Sequence, residues 1–251
     1  MAYPTDRHQT KKGQYTVRQA NIFKYNSAMT DQDFTLYLQP TSYVDSDHEA
    51  VIGYARDNAG IAANDTEQAL NFYYAIRDGI RYDPYMAVTD PANYRASDTV
   101  INKVGWCVPK AALLAACCRL HGIPARPGYA DVKNHLATQR LIDLLGTDMF
   151  IWHSYCEIYL DGSWVKATPA FNKSLCKRFG LKPLDWDGKT DSLFHEFDVA
   201  GNRHMEYVQD RGAFADVPFE TILADFKTLY RPEYITGAGG DFHAEAGAPR
   251  H

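Results

Sequence analysis

One segment of this chain restricts its possible folds more than any other. It reads GWCVPKAALLAACCRLHGIPAR, from Gly105 to Arg126. Pro109 is tolerated only in the first turn of a helix, and Gly122 and Pro124 end whatever begins there. The residues between them are apolar on every side, which predicts a helix buried inside a core rather than one lying on its surface. Cys107 therefore falls at or next to the N-terminus of a buried helix.

The position of Cys107 favours an ionised thiol. Unpaired backbone N–H groups and the positive end of the helix dipole stabilise a thiolate, and they can lower a cysteine pKa from about 8.5 to roughly 3.5–7.5. The alternative is that Cys107 is simply a small residue of the core. Cys117 and Cys118 lie near the other end of the helix without such stabilisation, and we predict that they are packing residues.

A thiol nucleophile needs a base within hydrogen-bonding reach, and a later segment offers one. Residues 149–160 are rich in aromatic and β-branched side chains, Asp161-Gly162 is typical of a hairpin turn, and residues 164–167 begin a returning strand. His153 lies in the middle of the first strand. Alternation predicts that it shares a face with Ile151, Tyr155 and Glu157.

The hairpin turn determines which residues lie opposite His153. If Asp161-Gly162 forms a two-residue loop, His153 lies opposite Ala170, with Thr168 and Asn172 as diagonal neighbours on the same face. Either of these two side chains could accept a hydrogen bond from the imidazole ring. A loop one residue longer would turn both of them to the other face of the sheet.

These segments resemble the transglutaminase-like superfamily of papain-fold cysteine enzymes. The resemblance covers about Leu70 to Pro169, and it is carried by the G-x-C helix start, by G-I-P-A-R and by H-x-Y-x-E-x-Y before a tryptophan hairpin. It implies an α+β fold with a papain-like, transglutaminase-like core, in which the nucleophile helix packs on an antiparallel β-sheet. It also implies that Cys107 is the nucleophile, that His153 is its base, and that the chemistry uses no metal or organic cofactor.

Two departures from the family pattern affect the surroundings of this pair. Where the family usually has an aspartate before a proline on the returning strand, this chain has Thr168. Thr168 holds the aligned position, whereas Asn172 has the better chemistry for orienting an imidazole. The family usually has an upstream tryptophan at the oxyanion site, and here only Tyr73 or Tyr74 offers a hydroxyl for that role, beside the backbone N–H of Cys107.

Composition excludes several functional classes. The chain has 26 basic and 31 acidic residues, and its formal net charge of -5 has the wrong sign for duplex nucleic acid. The longest apolar run, residues 111–118, is far shorter than the roughly 20 residues that cross a bilayer. The first residues lack the apolar segment of a secretory signal, and the 5 cysteines, an odd number, imply no disulfide framework. We therefore predict a cytoplasmic protein without nucleic-acid or membrane partners.

The length of 251 residues favours one domain over residues 1–236, with its core at about residues 65–172. Residues 237–251 are rich in glycine and alanine, and they are predicted to be disordered. Other local patterns predict helices at Asp65–Asp78, near His48–Asp57 and at Pro218–Arg231, and strands at residues 14–25 and 34–40.

The sequence thus predicts an enzyme that acts on a peptide or protein amide. The thiolate of Cys107 attacks the carbonyl, His153 protonates the departing amine, and water or a second amine releases the acyl-enzyme. Hydrolysis is favoured over cross-linking because no amine-binding site is visible. Two alternatives stay open: a non-catalytic peptide-binding module, favoured by the missing aspartate, and a metal site at Cys118 and His121, which lacks a second ligand pair.

Overall fold

The computed structural model describes residues 33–135, 137–193, 205–237 and 239–246, so the strand predicted at residues 14–25 lies outside the described residues. The helices α1 to α9 are, in chain order, Glu49–Asn58, Asp65–Gly79, Ala96–Asn102, Cys107–Leu120, Gln139–Leu145, Lys173–Phe179, Phe219–Leu229, Pro232–Ile235 and Phe242–Glu245. The strands β1 to β6 are Arg81–Tyr82, Val104–Gly105, Ala125–Asn134, Met149–Leu160, Ser163–Ala167 and Met205–Ala213.

An antiparallel sheet with the strand order β5-β4-β3-β6 supports the site. Its hairpin turn has positive φ angles at both Asp161 (48°) and Gly162 (89°), as a two-residue type I′ turn requires. Leu160 accordingly pairs with Ser163, which confirms the predicted register. The β4–β5 ladder ends at the pair of Cys156 and Ala167, before it reaches His153.

The nucleophile helix, α4, packs against β4 and β3 and is buried along nearly its whole length. It ends in a Schellman motif, in which the N–H of Ile123 donates to the carbonyl of Cys118 (3.0 Å) and the N–H of Gly122 to that of Arg119 (2.9 Å). Gly122 provides the positive φ (73°) that this motif needs. The predicted fold class, α+β with the nucleophile helix on an antiparallel sheet, is confirmed.

The helices predicted from apolar spacing are present as α1, α2 and α7, but the strand predicted at residues 34–40 is wrong. Thr35–Tyr37 forms a turn of 3₁₀ helix, in which the carboxylate of Asp33 accepts the N–H of Thr35 at 2.9 Å. Alternating residues do not form a strand here because no strand of the described region pairs with them.

Part of the tail is ordered, in contrast to the prediction of disorder. The ring of Phe242 is buried, with its centre 5.9 Å from that of Tyr82, and the carboxylate of Glu245 lies 2.6 Å from the guanidinium of Arg140. The buried ring of Phe242 and the ion pair of Glu245 hold this segment in place, although its composition predicts disorder. The single domain over residues 1–236 stays a prediction. Within the described residues, no helix is both long and apolar enough to span a membrane.

Candidate active site

Cys107 is the first residue of α4, and it is 5% exposed, whereas the other four cysteines are fully buried. All five cysteines are thiols rather than disulfides. The backbone N–H groups of Ser154, Val108 and Cys107 itself lie near the sulfur and favour its ionised form. Because Ser154 directly follows His153, the start of the nucleophile helix lies against the strand that carries the candidate base.

The pKa of the Cys107 thiol differs from the value expected at a helix start. Burial raises this pKa to about 12, although the N–H groups of Ser154, Val108 and Cys107 act to lower it. The helix-start effect thus has the predicted sign, but the loss of solvation outweighs it. The prediction of a lowered pKa is therefore wrong for this closed site, where a thiolate requires a proton acceptor beside it.

Buried tyrosines surround the thiol, and sequence reasoning missed them. Burial raises the pKa of five tyrosines, and a negative charge on Cys107 would raise it further: Tyr82, Tyr94, Tyr129, Tyr230 and Tyr234. Tyr129, on β3, lies close to the side chain of Ser154, and its buried hydroxyl has no hydrogen-bond partner in the part of the chain that the structure describes. Only the fold distinguishes these residues among the 17 tyrosines of the sequence.

His153 and Thr168 line one small cavity, which has room for about one water molecule. Both residues are buried, and both lie beyond the end of the β4–β5 ladder. The cavity is completed by Ala170, Phe171, Leu184, Leu193 and Met205. The hydroxyl of Thr168 forms no hydrogen bond with any described residue, so it shares the cavity with His153 without bonding to it.

Asn172 is engaged elsewhere, and the prediction that it orients His153 is wrong. Its Nδ2 donates to the carbonyls of Arg77 (2.5 Å) and Ile80 (2.6 Å), and its Oδ1 accepts the N–H of Tyr82 (2.8 Å). The chain leaves the sheet after β5, and Asn172 is already the N-cap residue of α6, so the strand register no longer determines where its side chain lies.

Tyr73 and Tyr74 also bond to another part of the chain. The hydroxyl of Tyr73 lies 2.7 Å from the carbonyl oxygen of Leu184 and 3.2 Å from that of Thr168. The hydroxyl of Tyr74 donates to the carbonyl of Trp186 (2.9 Å) and accepts the N–H of the same residue (3.2 Å). Both side chains attach residues 184–186 to α2, and the predicted oxyanion role is wrong because the hydroxyls are already bonded there.

The metal alternative finds no support among the described residues, where no three His, Cys, Asp or Glu side chains are grouped as metal ligands would be. Cys118 is fully buried within α4. The ring of His121 packs 4.9 Å from that of Phe72, and its Nδ1 lies 3.1 Å from the carbonyl oxygen of Cys117. The C-x-x-H pair therefore contributes to packing at the end of the helix.

Cys107 begins a buried helix that packs against the strand carrying His153 in an antiparallel sheet. This arrangement is typical of the α+β folds of cysteine enzymes. The family model of the transglutaminase-like superfamily matches residues 52–169, which include Cys107, His153 and Thr168 but not Asn172. Over this core, the chain is similar to the transglutaminase-like superfamily.

Among solved structures, the chain is similar to a proposed cysteine protease from Cytophaga hutchinsonii, with 25% sequence identity and a TM-score of 0.41. The match covers 56% of this chain and 43% of that chain, so this chain spans less than half of that protein's length. No curated protein gives a significant match.

Proposed function

We propose that this protein is a cytoplasmic cysteine hydrolase that cleaves amide bonds of peptides or proteins through a thioacyl intermediate on Cys107. The observation that carries the proposal is that the sulfur of Cys107, at the start of a buried helix, lies near the backbone N–H of Ser154, the neighbour of His153. The match of residues 52–169 to the transglutaminase-like superfamily supports the same chemistry.

In the proposed reaction, His153 accepts the thiol proton and the sulfur of Cys107 attacks the amide carbonyl carbon. The C–N bond then breaks as His153 returns the proton to the departing amine. Water, deprotonated by His153, next attacks the thioester carbon, and the C–S bond breaks to release the acid and restore the thiol. Because burial raises the thiol pKa to about 12, the imidazole is essential for the first step.

Thr168 and Tyr129 are the proposed supporting residues. The hydroxyl of Thr168 lies in the cavity that His153 lines, and it can accept from the ring N–H directly or through one water molecule. The buried hydroxyl of Tyr129 can donate to the oxyanion, beside the backbone N–H of Cys107.

The proposal is tested with unfolded casein and a fluorescent primary amine, using the wild-type protein, Cys107→Ser and His153→Ala. We expect only the wild type to release new peptide fragments or ammonia, without incorporation of the amine. Incorporation of the amine would overturn the hydrolytic part of the proposal. Product formed by Cys107→Ser at the wild-type rate would overturn the whole of it.

A peptide-binding module without catalysis is the second candidate. It is favoured by two observations, namely that burial raises the pKa of the Cys107 thiol and that Thr168 stands where the family has a carboxylate. Calorimetry with the same unfolded casein separates the two functions, because a binding module binds the casein without forming products.

A further inference from the structure

The residue immediately before His153 has an unusual backbone conformation. Trp152 has a φ of 59°, in the left-handed region, where the backbone of a bulky residue is strained. Ala130 pairs with His153 but Val132 pairs with Phe150, so β4 has one residue more than β3 across this step. Trp152 therefore lies in a β-bulge, and the alternation predicted between Ile151 and His153 is interrupted there.

A second bulge lies on the other side of β3. The register between β6 and β3 shifts by one residue between Gly212 and Asp210, which leaves Arg211 as the extra residue. The two bulges place Trp152 and Arg211 on either side of Asp131, a residue of β3 whose side chain is 6% exposed.

Asp131, Arg211 and Asp225 form a polar network around Trp152. Oδ1 of Asp131 accepts the backbone N–H of Trp152 (3.0 Å) and Nε of Arg211 (2.5 Å). Oδ2 of Asp225, on α7, accepts the indole Nε1 of Trp152 (2.9 Å) and Nη1 of Arg211 (2.7 Å). The guanidinium carbon of Arg211 also lies 4.5 Å from the centre of the Trp152 ring. These charge-assisted bonds hold the strained residue in place.

We propose that Asp131 and Arg211 are positioning residues for His153 and act through the backbone of Trp152. An ordinary extended conformation at Trp152 would rotate the peptide that leads into His153 and move the imidazole relative to the sulfur of Cys107. Strained backbone persists where the surroundings enforce it, and it is concentrated at functional sites. This inference rests on the proposed function. Arg211 and Asp225 lie outside the family match at residues 52–169, so the family pattern does not reveal them.

The test measures the rate of alkylation of Cys107 by iodoacetamide from about pH 5 to pH 9. Asp131→Ala removes the acceptor for the N–H of Trp152, whereas Asp131→Asn keeps an acceptor there. Glu157→Ala is the matched control, because Glu157 on β4 pairs with Arg126 (2.7 Å), whose guanidinium carbon lies 4.1 Å from the centre of the Trp164 ring.

We expect Cys107 to be alkylated at least about tenfold more slowly in Asp131→Ala near neutral pH. The pH profile of this rate should also move to higher pH. Asp131→Asn should recover most of the rate, and Glu157→Ala should react like the wild type. Should Asp131→Ala fail to fold, Arg211→Lys replaces it, with a slower rate again expected. Melting temperatures identify variants that are merely unfolded.

A folded Asp131 or Arg211 variant in which Cys107 is alkylated with the wild-type pH profile would overturn the inference. An equal loss of alkylation rate in Glu157→Ala would overturn it as well. A different result would overturn the proposed function. In that case, wild-type Cys107 would react no faster than the other cysteines, and His153→Ala would leave its rate unchanged.

Discussion

The sulfur of Cys107 is subject to two opposing effects. The N–H groups of Ser154 and Val108 favour the thiolate, whereas burial favours the thiol and raises its pKa to about 12. A cysteine with this pKa is not a nucleophile by itself at neutral pH. The proposed reactive unit is therefore the pair of Cys107 and His153, and reactivity depends on how well the imidazole is placed.

Lys110, three residues after Cys107, has a structural role that can be measured separately. Its Nζ donates to the carbonyls of Arg77 (3.1 Å), Ile80 (2.7 Å) and Ala170 (2.7 Å). Lys110→Met removes these donors, and we expect the free energy of unfolding to fall by about 2 kcal/mol because buried carbonyls lose a partner. Denaturant titration measures this change.

The control for Lys110 is Lys173→Met. Lys173 has a side chain that is 65% exposed and pairs with Asp78 at 3.5 Å, so its loss should change stability by less than about 0.5 kcal/mol. Equal effects of the two substitutions would show that the buried amine does not stabilise the junction of α2, α4 and the residues after β5.

At the level of elements, β3 and β4 meet closely where a glycine faces an aromatic ring. Gly128 pairs with Tyr155, and a Cβ on Gly128 would lie 2.3 Å from that ring. We expect Gly128→Ala to lower the free energy of unfolding by about 1–3 kcal/mol, because the strands must move apart. Gly53→Ala in α1 is the control, since an added Cβ there has nothing within 4 Å and should stabilise the helix. A neutral Gly128→Ala would contradict this contact.

The elements that sequence predicts well are those encoded by local pattern. The start of α4 follows from Pro109, its end from Gly122, and the hairpin register from Asp161-Gly162. Prediction fails where distant residues decide the geometry. Asn172 leaves the predicted register because the sheet ends before it, and the bulge at Trp152 depends on acceptors from other strands and helices.

At the level of the whole molecule, the buried thiols determine how stability depends on alkaline pH. Burial raises the pKa of Cys107 to about 12 and of Cys176 to about 11, and it raises the pKa of Cys117, Cys118 and Cys156 as well. The ordinary thiol pKa is about 8.5, so above it the unfolded chain loses protons that the folded chain keeps, and stability falls as pH rises.

We therefore expect the melting temperature to fall steadily from about pH 9 to pH 11. Lys110 acts in the opposite direction, because burial lowers the pKa of its amine well below the ordinary value. The stability of the folded protein therefore rises as the amine of the unfolded chain also loses its proton. Five thiols oppose this one amine, and burial also raises the pKa of tyrosines such as Tyr82, Tyr129 and Tyr230, which act in the same direction as the thiols, so the fall should dominate. Calorimetric scans at several pH values measure it, and a melting temperature that is constant or rises over this range would contradict the burial of the thiols.

Residues outside the family match also contribute to the surroundings of the candidate site. The candidate nucleophile and the candidate base lie within residues 52–169, but Tyr230 and Tyr234, whose pKa a charge on Cys107 would raise, come from the C-terminal region. The family pattern thus predicts the reacting pair, whereas its surroundings follow only from the folded chain.

The most direct measurement of the reacting pair is alkylation of the wild-type protein by iodoacetamide at about pH 6, mapped to each cysteine by mass spectrometry. Burial raises the pKa of both thiols, and the pKa of Cys176, about 11, stays below that of Cys107, about 12. If His153 takes the proton of Cys107, Cys107 should react at least about tenfold faster than Cys176 and should lose this advantage in His153→Ala. A Cys107 that reacts no faster than Cys176, or equally fast without the imidazole, would contradict its role as the nucleophile.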